Sequence, residues 1–299
     1  MKPVLFSVSY AGLWGQHFLD LEAFVHKAAS LGYAGIEIMC KRPHLSPLDW
    51  DEARAQKLAG VCAGAGVSVE CLGAYTDFSA GGTYPEIPLA ELQIRYVENV
   101  GRLAAAMGCP LVRVFTSYEN DRAGFVPQWN QLVVCLRECA ERLAPFGVRL
   151  GVQNHHDLAV HTKAMRELLL DVNHPNCAMM LDPWSPCLRG EPLYETAREQ
   201  APHIVYSTFA DYVRLPRHRY EPALVNYNAA PLADWVKAVP FGEGEIDNHS
   251  WLRGLRDGGF DGPVCYEMCS PLRGGGSEEN LDRCARMFID WLREKSFLG

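Results

Sequence analysis

The sequence has no excess of positive charge and no long apolar run. Its 299 residues include 28 Lys and Arg against 36 Asp and Glu, which gives a formal net charge of −8 at pH 7. Because binding to a phosphate backbone requires a concentrated basic face, we expect no nucleic-acid partner. No stretch approaches the roughly 20 apolar residues of a membrane helix, and the start, MKPVLFSVSY, lacks the apolar run of an export signal. We therefore expect no membrane partner and a cytoplasmic location.

Cysteine motifs are also missing, although the chain has 11 cysteines. No two of them are spaced as CxxC, which excludes zinc knuckles and thioredoxin-like redox centres. Their number is odd, and most of them lie inside apolar runs, as small core residues do. We expect them to be reduced, as is typical of a cytosolic protein.

Short apolar runs alternate with longer amphipathic ones along the whole chain, which is the pattern of strands alternating with helices. The predicted strands cover residues 4–10, 35–41, 68–75, 111–118, 149–156, 177–184, 204–212 and 263–270. The predicted helices cover residues 20–31, 49–65, 89–107, 127–146, 162–172, 192–200, 248–257 and 277–295. Eight strand and helix units are the number that closes a barrel.

Glycines stand where several predicted helices end and the next strand begins, namely Gly32, Gly66, Gly108 and Gly147. Glycine ends a helix at little steric cost, so this recurrence supports a repeated strand and helix unit. No linker is visible, and residues 1–299 are predicted to form a single (β/α)8 TIM barrel. Residues 212–245 interrupt the rhythm after the seventh strand. We interpret them as a loop enlarged for function or, alternatively, as a dimer arm.

Carboxylates at the ends of predicted strands are the first site candidates, because a barrel of this kind carries its site at the carboxyl ends of its strands. Asp182 and Glu267 lie inside otherwise apolar strands. A buried carboxylate is costly unless a cation, a metal or hydrogen bonds compensate it. The alternative is that each caps a helix or meets an arginine. For Glu37, a functional and a structural role are equally open.

The run QNHHDLAVH begins at Gln153 and places three imidazoles and a carboxylate at the end of the fifth predicted strand. Side chains alternate along a strand, so Gln153 and His155 are expected to share one face, and Asn154 and His156 the other. If Gln153 points into the barrel, His155 does so too. His156 would then orient a ligand or a loop from the opposite face.

Several motifs together resemble the xylose-isomerase-like barrel superfamily. They are LGYAGIEI, AAAMGCPLVRV, LGVQNHH, MMLDPW and FGEGEIDNHSWLRGLRDGGFDGPVCYE, in this order along nearly the whole chain. The superfamily contains sugar isomerases, epimerases and inosose dehydratases, and also metal-dependent apurinic endonucleases. The resemblance implies a barrel enzyme that acts on a small carbohydrate or cyclitol. The endonuclease activity is not expected, because this chain shows no basic face.

The resemblance also implies a divalent cation, often manganese, with magnesium, cobalt or zinc as alternatives. In the family, Glu, Asp, His and Glu from the fifth to the eighth strands hold this metal. The matching positions here are Gln153, Asp182, Thr208 and Glu267, so two of the four depart from the pattern. Arg214 lies where related epimerases often keep a substrate-binding Arg or Lys. Family members also form homodimers or homotetramers, which we expect here.

The departures change the expected chemistry. An amide cannot abstract a proton, whereas the family's epimerases use two metal-bound glutamates as bases. Gln153 can still offer its carbonyl oxygen to a hard cation. Glu267 is then the one remaining base, with His155 either as the partner acid or as a replacement metal ligand.

Three functions are open on this basis. We expect a metal-dependent isomerase or epimerase that works through an enediolate. The first alternative is a metal-dependent dehydratase or lyase that works by β-elimination, as inosose dehydratases do. The second alternative is a metal-free binding barrel, since the ligand set is incomplete.

Further residues at predicted strand ends are candidates for substrate binding. Trp184 and Tyr75 could wall a sugar pocket, and core packing explains them equally well. Arg273 precedes three glycines, whose N–H groups would suit a phosphate, although a flexible cap would have the same composition.

Overall fold

The architecture is a closed barrel of eight parallel strands, which confirms the predicted fold class. The computed structural model describes residues 1–79, 86–228 and 232–298. The barrel strands are β1 (Lys2–Phe6), β2 (Gly35–Met39), β3 (Ser68–Gly73), β4 (Leu111–Phe115), β5 (Arg149–Gln153), β6 (Cys177–Leu181), β7 (Ile204–Phe209) and β12 (Pro263–Tyr266). Around the barrel they follow the order β1-β12-β7-β6-β5-β4-β3-β2. Barrel strands that follow one another in the sequence therefore lie side by side, and β12 closes the ring by pairing with β1.

Helices surround this ring. They are α1 (Leu21–Ser30), α2 (Glu52–Ala65), α3 (Leu89–Met107), α4 (Phe125–Leu143), α5 (Thr162–Val172), α6 (Trp184–Leu188), α7 (Leu193–Gln200), α8 (Asn248–Asp257) and α9 (Glu278–Glu294). Side chains of Asp20, Asp51, Asp247 and Ser277 accept hydrogen bonds from the first turns of α1, α2, α8 and α9. Within the described residues, no helix is long and apolar enough to cross a membrane.

The barrel interior is apolar at one level and polar at the next. Val4, Phe6, Leu111, Met180 and Cys265 belong to a small cluster that fills the barrel. Residues two positions apart on a strand share a face. The inward side therefore also carries, at or just after the strands, Glu37, Gly73, Arg113, Gln153, Asp182, Thr208 and Glu267.

All eight barrel strands end earlier than predicted, and after two of them side chains replace the backbone hydrogen bonds. After β1, residues Ser7–Tyr10 form a 3-10 turn, and the Ser7 Oγ accepts the Met39 N–H at 2.9 Å. After β5, Asn154 Oδ1 accepts the Asp182 N–H at 2.8 Å, and its Nδ2 donates to the Asp182 carbonyl at 3.2 Å. Because side chains have replaced the backbone hydrogen bonds here, the chain leaves the barrel sheet at the level of the inward polar residues.

The enlarged segment after β7 contains a two-stranded ribbon. Strand β8 (Tyr212–Arg217) pairs antiparallel with β11 (Leu232–Ala238), and two shorter strands, β9 (Tyr220–Glu221) and β10 (Asn226–Tyr227), pair with each other. We call residues 212–238 the arm; residues 229–231 lie outside the described part of the chain. The arm exposes Leu224, Val225 and Tyr227. A dimer arm and a homo-oligomer stay predictions.

Asp211 fastens the base of the arm. Its Oδ2 accepts the N–H groups of Gly242 and Gly244, both at 2.9 Å, and its Oδ1 accepts the Tyr212 N–H at 3.0 Å. A Cβ on Gly244 would lie 1.9 Å from Asp211 Oδ1, so only glycine allows this approach. The GEGEID motif is thus a turn wrapped around one buried carboxylate.

Candidate active site

A buried ion pair lies in the centre of the polar layer. Glu37 on β2 is fully buried and Arg113 on β4 is 2% exposed, with Arg113 Nε 3.6 Å from Glu37 Oε1. A Cβ on Gly73 would stand 2.8 Å from Arg113 Nη2 and 2.9 Å from Glu37 Oε1. The glycine on β3 therefore leaves the space that the pair occupies. Burial raises the pKa of Glu37, and the Arg113 guanidinium opposes this rise.

Aromatic rings surround the guanidinium. Its central carbon lies 4.5 Å from the Phe115 ring centre, 5.1 Å from that of Phe6 and 5.4 Å from that of Tyr75. Lys41 Nζ lies 3.8 Å from the Tyr75 ring centre. Cations are attracted to these ring faces, so the rings help to hold both charges. Burial, together with the positive charge of Arg113, lowers the pKa of Lys41.

Gln153 links Arg113 to Asp182. Arg113 Nη1 donates to Gln153 Oε1 at 2.9 Å, and Gln153 Nε2 donates to Asp182 Oδ2 at 3.3 Å. The other carboxylate oxygen of Asp182 accepts the Ser185 N–H at 3.1 Å. Because an arginine only donates, it fixes which end of the amide faces it. The polar layer is therefore one connected chain of contacts from β2 to the end of β6.

The buried environment raises the pKa of both Asp182 and Glu267. Burial raises the pKa of Asp182 to about 6, against the opposing hydrogen bonds from Ser185 and Gln153. Burial also raises the pKa of Glu267 to about 8; Arg113 opposes the rise, and the negative charges of Glu37 and Asp182 reinforce it. The charges of Glu37, Arg113 and Asp182 thus all act on Glu267.

The expected metal ligands do not form the family's four-ligand site. Gln153 has its oxygen on Arg113 and its amide nitrogen on Asp182. Thr208 is buried, and its hydroxyl has no hydrogen-bond partner in the part of the chain that the structure describes. Over residues 1–79, 86–228 and 232–298, no group of three or more His, Cys, Asp or Glu is arranged to hold a metal ion. A hard divalent cation prefers several anionic oxygens, and these residues do not fit one.

The two histidines after β5 form an aromatic group beside this layer. His156 adopts a left-handed backbone conformation with φ 75°, and its N–H donates to His155 Nδ1 at 3.0 Å. The neutral His155 ring consequently carries its proton on Nε2. Its ring centre is 5.0 Å from that of Phe115, while His156 stacks on Tyr118 at 3.8 Å. Loss of hydration and the nearby His156 and Arg113 lower the pKa of His155, which stays neutral near pH 7.

A cavity of about 770 Å³, which we call the mouth cavity, adjoins the aromatic rings beside Arg113, and its lining does not include Glu267, His155 or Asp182. Its lining includes Lys41, Tyr75, Tyr96, Phe115, Tyr118 and His156. Tyr75 and His156, both predicted for substrate binding, therefore lie together. The size and the aromatic walls are typical of a site for a small molecule.

The other predicted substrate contacts have protein partners. Arg214, which lies on the arm, has its Nε 2.8 Å from Glu245 Oε2, and Arg273 Nη1 lies 3.0 Å from Glu243 Oε2. The Trp184 ring packs against Tyr212, with 4.6 Å between centres. All three are placed by the arm or by the turn that follows it. Their roles toward a substrate stay predictions.

The roles of Arg113 and Gly73 were not predicted from the sequence. Arg113 lies in the quoted AAAMGCPLVRV motif, where an arginine stands between two valines of an apolar strand. A charged residue at an inward position of a parallel strand is itself a signal, because it has to be paired. Its partner Glu37 could not be identified from the sequence, since the pairing depends on the gap that Gly73 leaves one strand away.

The fold and this cluster define a (β/α)8 barrel with its ionisable groups at the carboxyl ends of the strands. A model of the xylose isomerase-like TIM barrel family matches residues 25–294. The chain belongs to this family, as the resemblance of its motifs indicated. No curated protein matches the chain significantly in sequence.

Solved structures with the same fold include D-psicose 3-epimerase from Clostridium cellulolyticum H10 with D-tagatose, at a TM-score of 0.76 and 16% identity over 98% of this chain and 99% of that one. The probable 3-DHS dehydratase AsbF from Bacillus anthracis gives 0.73 and 18% over 97% and 99%. The IolI protein with a bound zinc atom gives 0.73 and 16% over 99% of each chain. At these identities the likeness concerns the fold.

Proposed function

We propose that this chain is an enzyme that moves a proton at the carbon next to a carbonyl group, with Glu267 as the base. The observation that carries the proposal is the contrast between two positions of the polar layer. Glu267, a partly exposed residue just after β12, carries a carboxyl group, whereas the position of the family's other glutamate holds Gln153, an amide bound to Arg113 and Asp182. An amide cannot take up a proton, so one base serves the reaction.

A single base favours isomerisation over epimerisation. In isomerisation, Glu267 takes the proton from the carbon beside the carbonyl, and an enediolate forms, in which the proton of the neighbouring hydroxyl group passes to the former carbonyl oxygen. The same carboxyl group then returns the proton to the neighbouring carbon on the same face. Epimerisation at one carbon requires a base and an acid on opposite faces.

His155 is the expected donor to the carbonyl oxygen. Its Nδ1 accepts the His156 N–H, so its Nε2–H is available to a substrate. A neutral imidazole can stabilise the negative charge that develops on the oxygen. Glu267 and His155 would therefore act as base and hydrogen-bond donor.

The substrate class is a small polyhydroxylated aldehyde or ketone, such as a sugar or a cyclitol ketone. The mouth cavity has room for a compound of this size, and the rings of Tyr75 and Phe115 offer faces for its C–H groups. The fold is shared with an epimerase seen with D-tagatose. A metal requirement is not part of the proposal, because Gln153 and Thr208 leave the ligand set incomplete.

Elimination is the second candidate, because one base suffices for it. Glu267 removes the proton beside the carbonyl, the bond between the next carbon and its hydroxyl oxygen breaks, and the protonated Glu267 gives its proton to the departing oxygen, which leaves as water. The probable dehydratase AsbF shares the fold. The product, an isomer or an unsaturated ketone, distinguishes the two reactions.

Proton NMR of candidate sugars and cyclitol ketones in deuterated water tests the proposal. The wild-type chain is expected to introduce deuterium beside the carbonyl of at least one compound. The Glu267→Gln variant should lose this exchange by a factor on the order of a hundred or more.

Glu279→Gln is the matched control, because Glu279 is an exposed carboxylate in the first turn of α9. It should keep the wild-type rate. Exchange that survives in Glu267→Gln, or no exchange with any compound by the wild type, would contradict the proposal. An isomer as product supports the first reaction, and a dehydrated product supports elimination.

A further inference from the structure

We propose that the Arg113 guanidinium has taken the place of a divalent cation in this barrel, so that the site carries a fixed positive charge and binds no catalytic metal. The inference concerns the site, and it holds whether or not the reaction is the one proposed above. Arg113 would orient Gln153, balance the carboxylates and form part of the floor on which the substrate lies.

Gln153 already uses the side-chain oxygen that a metal would need. A metal could use only its Oε1, and this atom accepts a hydrogen bond from Arg113 Nη1 at 2.9 Å. The arginine cannot turn away easily, since it is 2% exposed and enclosed by Glu37, Gly73 and the aromatic rings. A metal at Gln153 would have to displace a buried, paired guanidinium.

The positive charge of Arg113 also opposes the binding of a cation. A guanidinium stays protonated at any physiological pH. A divalent cation bound to Gln153 and Asp182 would lie within a few ångströms of it, in a region screened from water. Like charges repel strongly in such surroundings. In a site built for a metal, this position would suit a neutral or acidic group.

The remaining ligand positions hold weak ligands or side chains that are already hydrogen-bonded. Thr208 offers a neutral hydroxyl where the family has an imidazole, and alcohols are weaker ligands for these metals. Asp182 Oδ2 accepts a hydrogen bond from Gln153, and Asp182 Oδ1 accepts one from the Ser185 N–H. His155, the candidate replacement, has its Nδ1 engaged by the His156 N–H. Glu267 alone keeps a carboxylate free of these contacts.

The arrangement also indicates what the site recognises. Arg113 Nη2 and the Thr208 hydroxyl are buried and unpartnered among the described residues, so the floor of the site keeps spare hydrogen-bond donors. Such a floor suits a compound held by hydrogen bonds through its hydroxyl and carbonyl oxygens. Chelation to a metal is then unnecessary for binding.

Isothermal titration of the full chain with Mn²⁺ and Zn²⁺, after removal of metals by a chelator, tests the inference without a substrate. The wild type is expected to bind neither ion stoichiometrically. Two double variants should gain affinity, on the order of tenfold or more. Glu37→Gln with Arg113→Gln removes both charges of the pair and frees Gln153, and Arg113→Gln with Gln153→Glu removes the guanidinium and restores the family's first carboxylate ligand.

Asp182→Asn in the second double variant is the control and should abolish the gain. Circular dichroism shows whether each variant is folded, and if one is not, the other carries the test. The inference is overturned if the wild type binds one ion per chain and loses it in Asp182→Asn. It is also overturned if no folded double variant gains affinity. Neither result affects the exchange experiment with Glu267→Gln.

Discussion

At the scale of single residues, Gly73 decides whether the central ion pair fits. The pair between Arg113 and Glu37 bridges from β4 to β2, across the position where β3 has no side chain. Any Cβ at this position would approach the guanidinium to 2.8 Å. Since real Cβ atoms do not come this close, either the arginine or the strand would have to move.

We predict that Gly73→Ala lowers the free energy of unfolding by about 1–3 kcal/mol because of this overpacking. Urea unfolding monitored by circular dichroism measures the change. Gly64→Ala in the exposed part of α2 is the control, because nothing lies within 4 Å of a Cβ there. The control should gain about 0.5–1 kcal/mol, since alanine favours a helix over glycine. Equal unfolding midpoints for the two variants would refute the packing argument.

The sequence predicted part of the site at this scale. Asp182 and Glu267 were identified because carboxylates inside apolar strands need compensation, and both lie in the polar layer. The contact between Gln153 and Arg113 could not be predicted, because it depends on the register between β4 and β5. That register pairs Phe115 with Gln153 and Arg113 with Gly151. No local sequence pattern reveals it.

At the scale of elements, the turn after the arm depends on one carboxylate. Asp211 receives N–H groups from Gly242, Gly244 and Tyr212, and its side chain is almost fully buried. The sequence motif GEGEID was recognised, but its role as a wrap around Asp211 required the fold. The arm was predicted as an enlarged loop or a dimer arm, because residues 212–245 interrupt the rhythm of strands and helices, and its short strands were not predicted.

We predict that Asp211→Asn destabilises the chain by about 1–3 kcal/mol, because an amide group would turn an N–H toward backbone donors that need an acceptor. Thermal unfolding measures the loss. Asp234→Asn on β11 is the matched control, since Asp234 is an exposed residue of the same arm. If both variants unfold at the same temperature, the carboxylate does not organise the turn.

A second element-level contact joins the segment after β2 to β1 and to the loop before α1. His44 is buried, with Nδ1 3.0 Å from Ser7 Oγ and Nε2 3.1 Å from the Leu19 carbonyl. Burial lowers its pKa to about 4, because the imidazolium cannot be hydrated there. The His44 ring is therefore neutral in the folded protein near pH 7.

This shift predicts a pH dependence of stability. The unfolded chain, in which the pKa of histidine is about 6.5, binds more protons than the folded chain between pH 6.5 and 4. Stability is full above pH 6.5 and should fall by at most about 3 kcal/mol as the pH drops through this window. Urea unfolding at several pH values should show a smaller fall in His44→Gln. The exposed His26→Gln variant should follow the wild type, and a His44→Gln curve that also does so would contradict the assignment.

At the scale of the whole molecule, the barrel was predictable because its signals repeat. Eight apolar runs, each followed by an amphipathic run, predicted the eight strands that close the ring. All eleven cysteines are free across the described residues, as their scattered positions indicated. The charge arrangement inside the ring was not predictable, because it depends on which inward positions of different strands reach the same level.

The ring also sets the number of proton-transfer groups. Here β5 contributes an amide, β7 an alcohol and β4 a guanidinium in the layer that also holds Asp182 and Glu267. The central claim is therefore that one carboxylate and one fixed cation run the site without a metal.

Deuterium incorporation by chelator-treated protein, verified as metal-free by elemental analysis, tests this claim most directly. The measurement uses the compound that exchanges best, and it is repeated after addition of Mn²⁺. We predict the same rate of exchange with and without the ion, since Arg113 supplies the charge. Exchange that disappears in the metal-free protein and returns with Mn²⁺ would contradict the account.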